Sequence, residues 1–176
     1  MRFIETRLKG VYIIELDKIE DERGFFARSF CQKEFVQNRL ESNIAQCNIS
    51  FNKRRGTIRG MHFQNNPKAE PKLVRCTQGA IFDVIIDLRT DSITYCDWEA
   101  VELTADNRRA LYVPKSFAHG FQTLEDNTEV FYIMYEFYYP EYSSGIRWND
   151  PAFSIKWPLP PATISEKDSV YPDFKR

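Results

Sequence analysis

The stretch IFDVIIDL, Ile81 to Leu88, is too short for an ordinary helix and rich in β-branched residues, and Gly79 punctuates the chain just before it. It reads as a β-strand. Side chains on a strand alternate between faces, so Phe82, Val84, Ile86 and Leu88 share one face and Ile81, Asp83, Ile85 and Asp87 the other. Two acids among isoleucines suit a strand whose second face meets other polar groups inside a barrel or sandwich. Similar runs lie on either side: VYIIEL from Val11, AQCNISF from Ala45, KLVRC from Lys72, EAVEL from Glu99, ALYVP from Ala110 and the long TEVFYIMYEFYY from Thr128. Short strands separated by turn signals roughly every 8–12 residues predict a mainly β chain, an antiparallel sandwich or small barrel that could enclose a ligand. One helix is expected from Cys31 to Leu40 (CQKEFVQNRL), with Ser29 near its start and Phe35, Val36 and Leu40 as its apolar stripe. Pro158, Pro160 and Pro161 predict that the chain after Trp157 wraps the sheets as coil.

The 176 residues carry no internal repeat, low-complexity tract or linker, so a single domain over 1–176 is expected. Lys and Arg number 24 against 25 Asp and Glu, which leaves no basic footprint for a nucleic-acid backbone. At 43% hydrophobic and 28% charged residues the composition is that of a chain that folds. No apolar stretch approaches the ~20 residues of a membrane-spanning helix, and the start, MRFIETRLKG, has no apolar signal core; a cytoplasmic protein is expected. Cys31, Cys47, Cys76 and Cys96 are too far apart for a C-x-x-C motif and read as four free, mostly buried thiols.

The histidines are two, His62 in TIRGMHFQ and His119 in PKSFAHGFQTL, too few for a three-histidine metal site, and no metal is expected. A lone histidine is more often structural than catalytic. If the run from Thr128 is one strand, Val130, Tyr132, Met134, Glu136 and Tyr138 share a face; from spacing alone the tyrosines read as ordinary strand aromatics. Strict alternation puts His62 with Ile58, Gly60 and Gln64, and Arg59 opposite with Met61 and Phe63. A bulge at Gly60 would bring Arg59 and His62 together, and alternation does not decide whether there is one.

Taken in order, DERGFF (Asp21 to Phe26), QCNISFNKRRGTIRGMHFQ (Gln46 to Gln64), PKLVRCTQGAIFDVIIDLR (Pro71 to Arg89), LYVPKSFAHGFQTL (Leu111 to Leu124), EVFYIMYEFYYP (Glu129 to Pro140), GIRWNDPAFSIKWP (Gly145 to Pro158) and ISEKDSVYPDF (Ile164 to Phe174) resemble the nucleotide-sugar 3,5-epimerase family of the cupin fold, typified by dTDP-4-dehydrorhamnose 3,5-epimerase. The resemblance runs over nearly the whole chain. It implies a dimeric cupin-type jelly-roll β-barrel with few short helices, the sugar in its lumen, and neither metal nor redox cofactor. It puts His62 on the family's general base, Asp168 on the carboxylate that orients it, Tyr132 on the proton donor to the opposite sugar face, and Lys72 on the cation near the keto oxygen. Arg59, His119 and Tyr138 fall on further active-site positions, Arg23, Gln46 and Asn48 on positions near the nucleotide diphosphate or the rim, and Ser50 on a polar position beside the base.

The chemistry accounts for these residue types. A C4 ketone acidifies the hydrogens at C3 and C5, so one base can remove either if the enolate oxygen meets preorganised donors, and inversion needs a proton from the other face. The expected activity is epimerisation at C3 and/or C5 of a nucleotide-linked 4-keto-6-deoxyhexose, by default dTDP-4-keto-6-deoxy-D-glucose. The alternatives are a 3-only or 5-only epimerase on a CDP or GDP carrier and a noncatalytic sugar-nucleotide-binding cupin. One departure bears on the carrier: Arg28 occupies a position that is usually acidic in the family, where it either alters base recognition or sits on the rim in water.

Overall fold

The computed structural model describes residues 1–175. A six-stranded antiparallel sheet runs β1 (Arg2–Glu5), β2 (Tyr12–Glu15), β10 (Ala110–Val113), β7 (Lys72–Gln78), β12 (Thr128–Met134), β5 (Gln46–Asn52). A five-stranded antiparallel sheet runs β13 (Ser143–Gly145), β6 (Ile58–Gln64), β11 (Phe117–Thr123), β8 (Ala80–Asp87), β9 (Trp98–Thr104). Among the described residues the hairpin of β3 (Lys18–Asp21) and β4 (Gly24–Ala27) pairs only with itself. The two large sheets face one another as the walls of a jelly-roll barrel that no ladder closes among the described residues. No described helix is long and apolar enough to cross a membrane.

Alternation along the strands builds three apolar layers. Between the sheets, Val74, Cys76, Leu111, Val113 and Val130 meet Ile81, Ile85, Val101, Leu103, Phe117 and Phe121. Outside the six-stranded sheet, Ile14, Leu73, Tyr112, Ile133 and Tyr135 pack under Phe35 and Leu40. Outside the five-stranded sheet, Met61, Val84, Ile86 and Ala118 are covered by Ile146 and Phe153, with Trp157 and Phe174 packed against them. Each fully buried aliphatic or aromatic side chain contributes roughly 1.5–3 kcal/mol of transfer free energy. β8 is buried on both faces because the core lies on one side and the C-terminal coil on the other, as the prolines after Trp157 predict.

The helix is shorter than expected. α1 spans Gln32–Gln37 with Cys31 as an N-cap that makes no side-chain bond, and Ser29 plays no part in capping. Phe35 is buried, but Val36 faces solvent; Leu40 reaches the core only after the chain turns through Arg39 at φ 60°. The run from Thr128 is also not one strand. β12 stops at Met134, where its partners end at Gln46 and Lys72, and Lys72 follows a proline, which has no N–H to offer. Of the cysteines, all free, Cys76 and Cys96 are buried, whereas Cys31 is half-buried and Cys47 is exposed on the outer face of edge strand β5.

The second acid of IFDVIIDL staples a loop. Asp87, fully buried at the end of β8, accepts from Arg89 Nε at 2.8 Å and from Ser92 Oγ and Thr94 Oγ1, both at 2.7 Å. Burial alone would raise its pKa, but these donors outweigh it and hold the carboxyl at about 2. A folded-state value below the unfolded one, ~3.9, stabilises the fold above that pH and ceases to do so as pH falls toward 2. Asp87→Asn is therefore expected to cost about 2 kcal/mol at pH 7 by urea denaturation, with the difference from wild type shrinking below pH ~4.

Candidate active site

A one-residue irregularity in β6 creates the site. His119 of β11 stands opposite His62 and Phe121 opposite Arg59, so two steps along β11 match three along β6. The extra residue lies at Gly60–Met61, whose peptide is cis, and it reverses the alternation so that Arg59 and His62 both line one pocket while Met61 packs on the outer face. Gly60, at φ 139°, tolerates this backbone, and its absent side chain is required: a Cβ there would lie 2.5 Å from Gly120 Cα. Gly120 is equally constrained, since its Cβ would meet Arg59 O at 2.7 Å.

The pocket has a volume of about 520 Å³ between the two sheets. One wall carries Arg59, His62 and His119 on β6 and β11; the facing wall carries Lys72 on β7, Tyr132 on β12, and Gln46, Asn48 and Ser50 on β5. The last three follow the period of two, with Ser50, Asn48 and Gln46 opposite Val130, Tyr132 and Met134. Tyr138 also lines the pocket, but from the loop beyond β12, where its N–H donates to Gln46 Oε1 at 3.3 Å. The shared strand face expected for Tyr132 and Tyr138 is thus replaced by a loop contact.

Each charged group has a defined partner. Asp168, on the short helix α2 (Glu166–Ser169), is 4% exposed and lies 2.7 Å from His62 Nε2 through Oδ1, while Oδ2 accepts from Gly60 N–H at 3.3 Å. Burial works to raise its pKa, but the His62 hydrogen bond and charge, with the Gly60 and Ser165 bonds, hold the carboxyl below the usual range. An ionised carboxylate only accepts, so the shared hydrogen sits on His62 Nε2, and in the neutral ring the lone pair is then on Nδ1. His119 Nε2 lies 2.7 Å from Asp83 Oδ1, both buried. Lys72 Nζ donates to Glu70 Oε1 at 2.9 Å, and Arg59 Nε to Asn52 Oδ1 at 2.7 Å. Burial pushes the Tyr132 hydroxyl far above the ordinary phenol range, the charge of Asp83 adding to the effect and that of Arg59 opposing it, so the hydroxyl keeps its proton.

Two residues singled out in the sequence lie elsewhere. Arg23, in the β3–β4 turn, is exposed, pairs with Asp21 and does not line the pocket of its own chain. Arg28 donates to Glu34 Oε1 of α1 at 2.9 Å and also lies outside the pocket. Conversely, Glu70, Asn52, Lys167 and the partnership of Asp83 with His119 went unnoticed in the sequence. The signals existed: Asn52 continues the alternating polar row of β5, Glu70 is two extended residues from Lys72, Lys167 adjoins Asp168, and Asp83 shares the inner face of β8 with Ile81 and Ile85.

A family model described as dTDP-4-dehydrorhamnose 3,5-epimerase matches residues 5–176. A dTDP-4-dehydrorhamnose 3,5-epimerase of Methanothermobacter thermautotrophicus is 48% identical over 95% of this chain and 91% of its own. The crystal structure of the Bacillus anthracis dTDP-4-dehydrorhamnose 3,5-epimerase with TDP and PPi bound superposes with a TM-score of 0.95 at 43% identity, over 98% of this chain and 99% of that one. The Legionella pneumophila dTDP-6-deoxy-D-glucose-3,5-epimerase, in complex with dTDP-4-keto-L-rhamnose, superposes at 0.89 with 36% identity, over 95% and 89%.

Asp83→Leu would leave the buried His119 ring nitrogen without its hydrogen-bond partner. It is expected to lower unfolding free energy by about 1–3 kcal/mol in urea titrations, against little change for an exposed control such as Asp106→Leu.

Proposed function

The chain belongs to the dTDP-4-dehydrorhamnose 3,5-epimerase family, and we propose that it inverts C3 and C5 of dTDP-4-keto-6-deoxy-D-glucose to give dTDP-4-dehydro-L-rhamnose. The observation that carries this reading is the opposition of the His62–Asp168 pair on one wall of the pocket to the proton-bearing Tyr132 on the other. His62 Nδ1 removes the proton α to the ketone; Asp168 fixes the tautomer and stabilises the imidazolium that forms. Lys72, Arg59 and His119 stabilise the enolate oxygen, and Tyr132 returns a proton to the opposite face. Substrate and product are isomers, so the balance calls for no redox cofactor. Gln46, Asn48, Ser50 and Tyr138 line the remainder of the pocket and hold the nucleotide diphosphate or sugar. The Glu34 partner of Arg28 turns that charge onto α1, which favours the dTDP carrier over CDP or GDP.

We further propose a homodimer. The support is large apolar side chains left exposed among the described residues: Ile49 is 65% exposed and Phe51 48% on edge strand β5, and Ile19 and Phe26 are exposed on the β3–β4 hairpin. Two strands in from Ile49 on the same sheet, Arg75 Nη2 is buried and has no hydrogen-bond partner among the described residues. A second copy seated there would cover these groups and carry its Arg23 toward the pocket mouth. Four free thiols accord with a reducing cytoplasm as the site of action.

The test is proton NMR in heavy water with dTDP-4-keto-6-deoxy-D-glucose. Loss of both the C3 and C5 signals with an L-configured product supports the reading; exchange at one carbon makes the enzyme a mono-epimerase, and binding without exchange makes it a binder. His62→Ala is expected to lower exchange on the order of 10²–10⁴-fold while dTDP affinity stays within a few-fold. Tyr132→Phe is expected to impair inversion more than exchange; normal inversion would pass the acid role to Tyr138 or water. Sedimentation should give twice the chain mass, and Ile49→Asp with Phe26→Asp should shift it toward monomer and raise KM; an unchanged monomer in both would end the dimer proposal.

A further inference from the structure

The C-terminal segment that brings Asp168 to His62 is held from several sides. α2 is four residues long, too short to sustain itself, so its position depends on tertiary contacts. Upstream, Thr163 bridges Thr57, with Ile58 N–H donating to Thr163 O at 2.9 Å, and Ser165 caps the helix by accepting from Asp168 N–H at 3.1 Å. Downstream, Arg147 reaches the carbonyl of Tyr171 and the carboxylate of Asp173, and buried Asp150 accepts from Phe174 N–H at 2.7 Å. Between these anchors the ring of Tyr171 lies on the backbone of Gly145, the residue of β13 directly opposite His62, and stands edge-on to the imidazole with centroids 6.4 Å apart. Gly145 is not among the residues of positive φ, so its backbone demands no glycine. What demands it is space: a Cβ would fall 2.3 Å from Tyr171 Cε2 and Cζ.

We propose that Gly145 is a positioning residue for the His62–Asp168 pair, acting through the Tyr171 ring that seats on it. The inference rests on the reading of His62 as the base. A methyl group at 145 must swing the ring off its seat or lift the segment that carries Asp168, and displacements near 1 Å at a reacting group cost on the order of 10²-fold in rate. Gly145→Ala is therefore expected to lower kcat by roughly 10–100-fold while KM and dTDP affinity stay within about two-fold. Tyr171→Ala, which removes the ring without crowding the backbone, should lower kcat in the same way. Adding Gly145→Ala to Tyr171→Ala should cost nothing more, because the clash is gone.

Steady-state kinetics and solvent exchange on these three variants and His62→Ala decide the matter. Wild-type kcat in Gly145→Ala or in Tyr171→Ala, beside an inactive His62→Ala, overturns the positioning role alone. Additive losses in the double variant, or a rise in KM with kcat unchanged, overturn it too. An active His62→Ala removes the base reading itself. Should Gly145→Ala fail to fold, Tyr171→Ala alone still reads the role of the ring through its kcat-to-KM split.

Discussion

The backbones of Gly60 and Gly120 approach so closely that neither position has room for a Cβ. That contact lets β6 carry one residue more than β11 across the same span, and the extra residue reverses the alternation between Arg59 and His62. The guanidinium and the imidazole then enter one pocket from the same strand, and the N–H of Gly60 is left facing the carboxylate that also holds His62. A regular strand through these residues would have sent one of the two to the outer face with Met61. The pocket chemistry thus depends on a steric permission granted to two glycines.

Charge inside the barrel is arranged in local pairs. Asp168 serves His62, Asp83 serves His119, Glu70 serves Lys72, and Asn52 orients Arg59. In a low-dielectric cavity an unpartnered charge is costly, and a charge held by a fixed partner is both tolerated and aimed. The pairs also separate roles by wall. The ionised carboxylate of Asp168 accepts from His62 Nε2, so that Nδ1 is the lone-pair nitrogen of the neutral ring, while burial keeps the Tyr132 hydroxyl protonated across the pocket. In the proposed reaction the base would end as an imidazolium and the acid as a phenolate, so both must be reset by proton exchange before the next turnover.

Much of this was legible along the chain. The inner row Gln46, Asn48, Ser50 follows directly from the period of two, as do the two acids among the isoleucines of β8. The helix boundaries and the length of β12 did not follow. Apolar residues after Met134 continue the pattern of a strand, but no partner strand extends that far, and Tyr135 and Tyr138 turn to other surroundings. Arg28 is answered by Glu34 six residues later, a pairing that depends on where α1 packs.

The sequence by itself determined the class of fold, the residues that share each regular strand face, and, through ordered motifs over nearly its whole length, the family. These are properties of backbone alternation and of local residue type, which the chain carries wherever it goes. Only the tertiary structure decided that Arg59 and His62 converge, that β12 ends at Met134, and that Asp168 reaches His62 from 106 residues away. Those outcomes depend on what the neighbouring strand allows, on where a hydrogen-bonding partner runs out, and on how the C-terminal segment is pinned to β13, none of which is written in the local pattern.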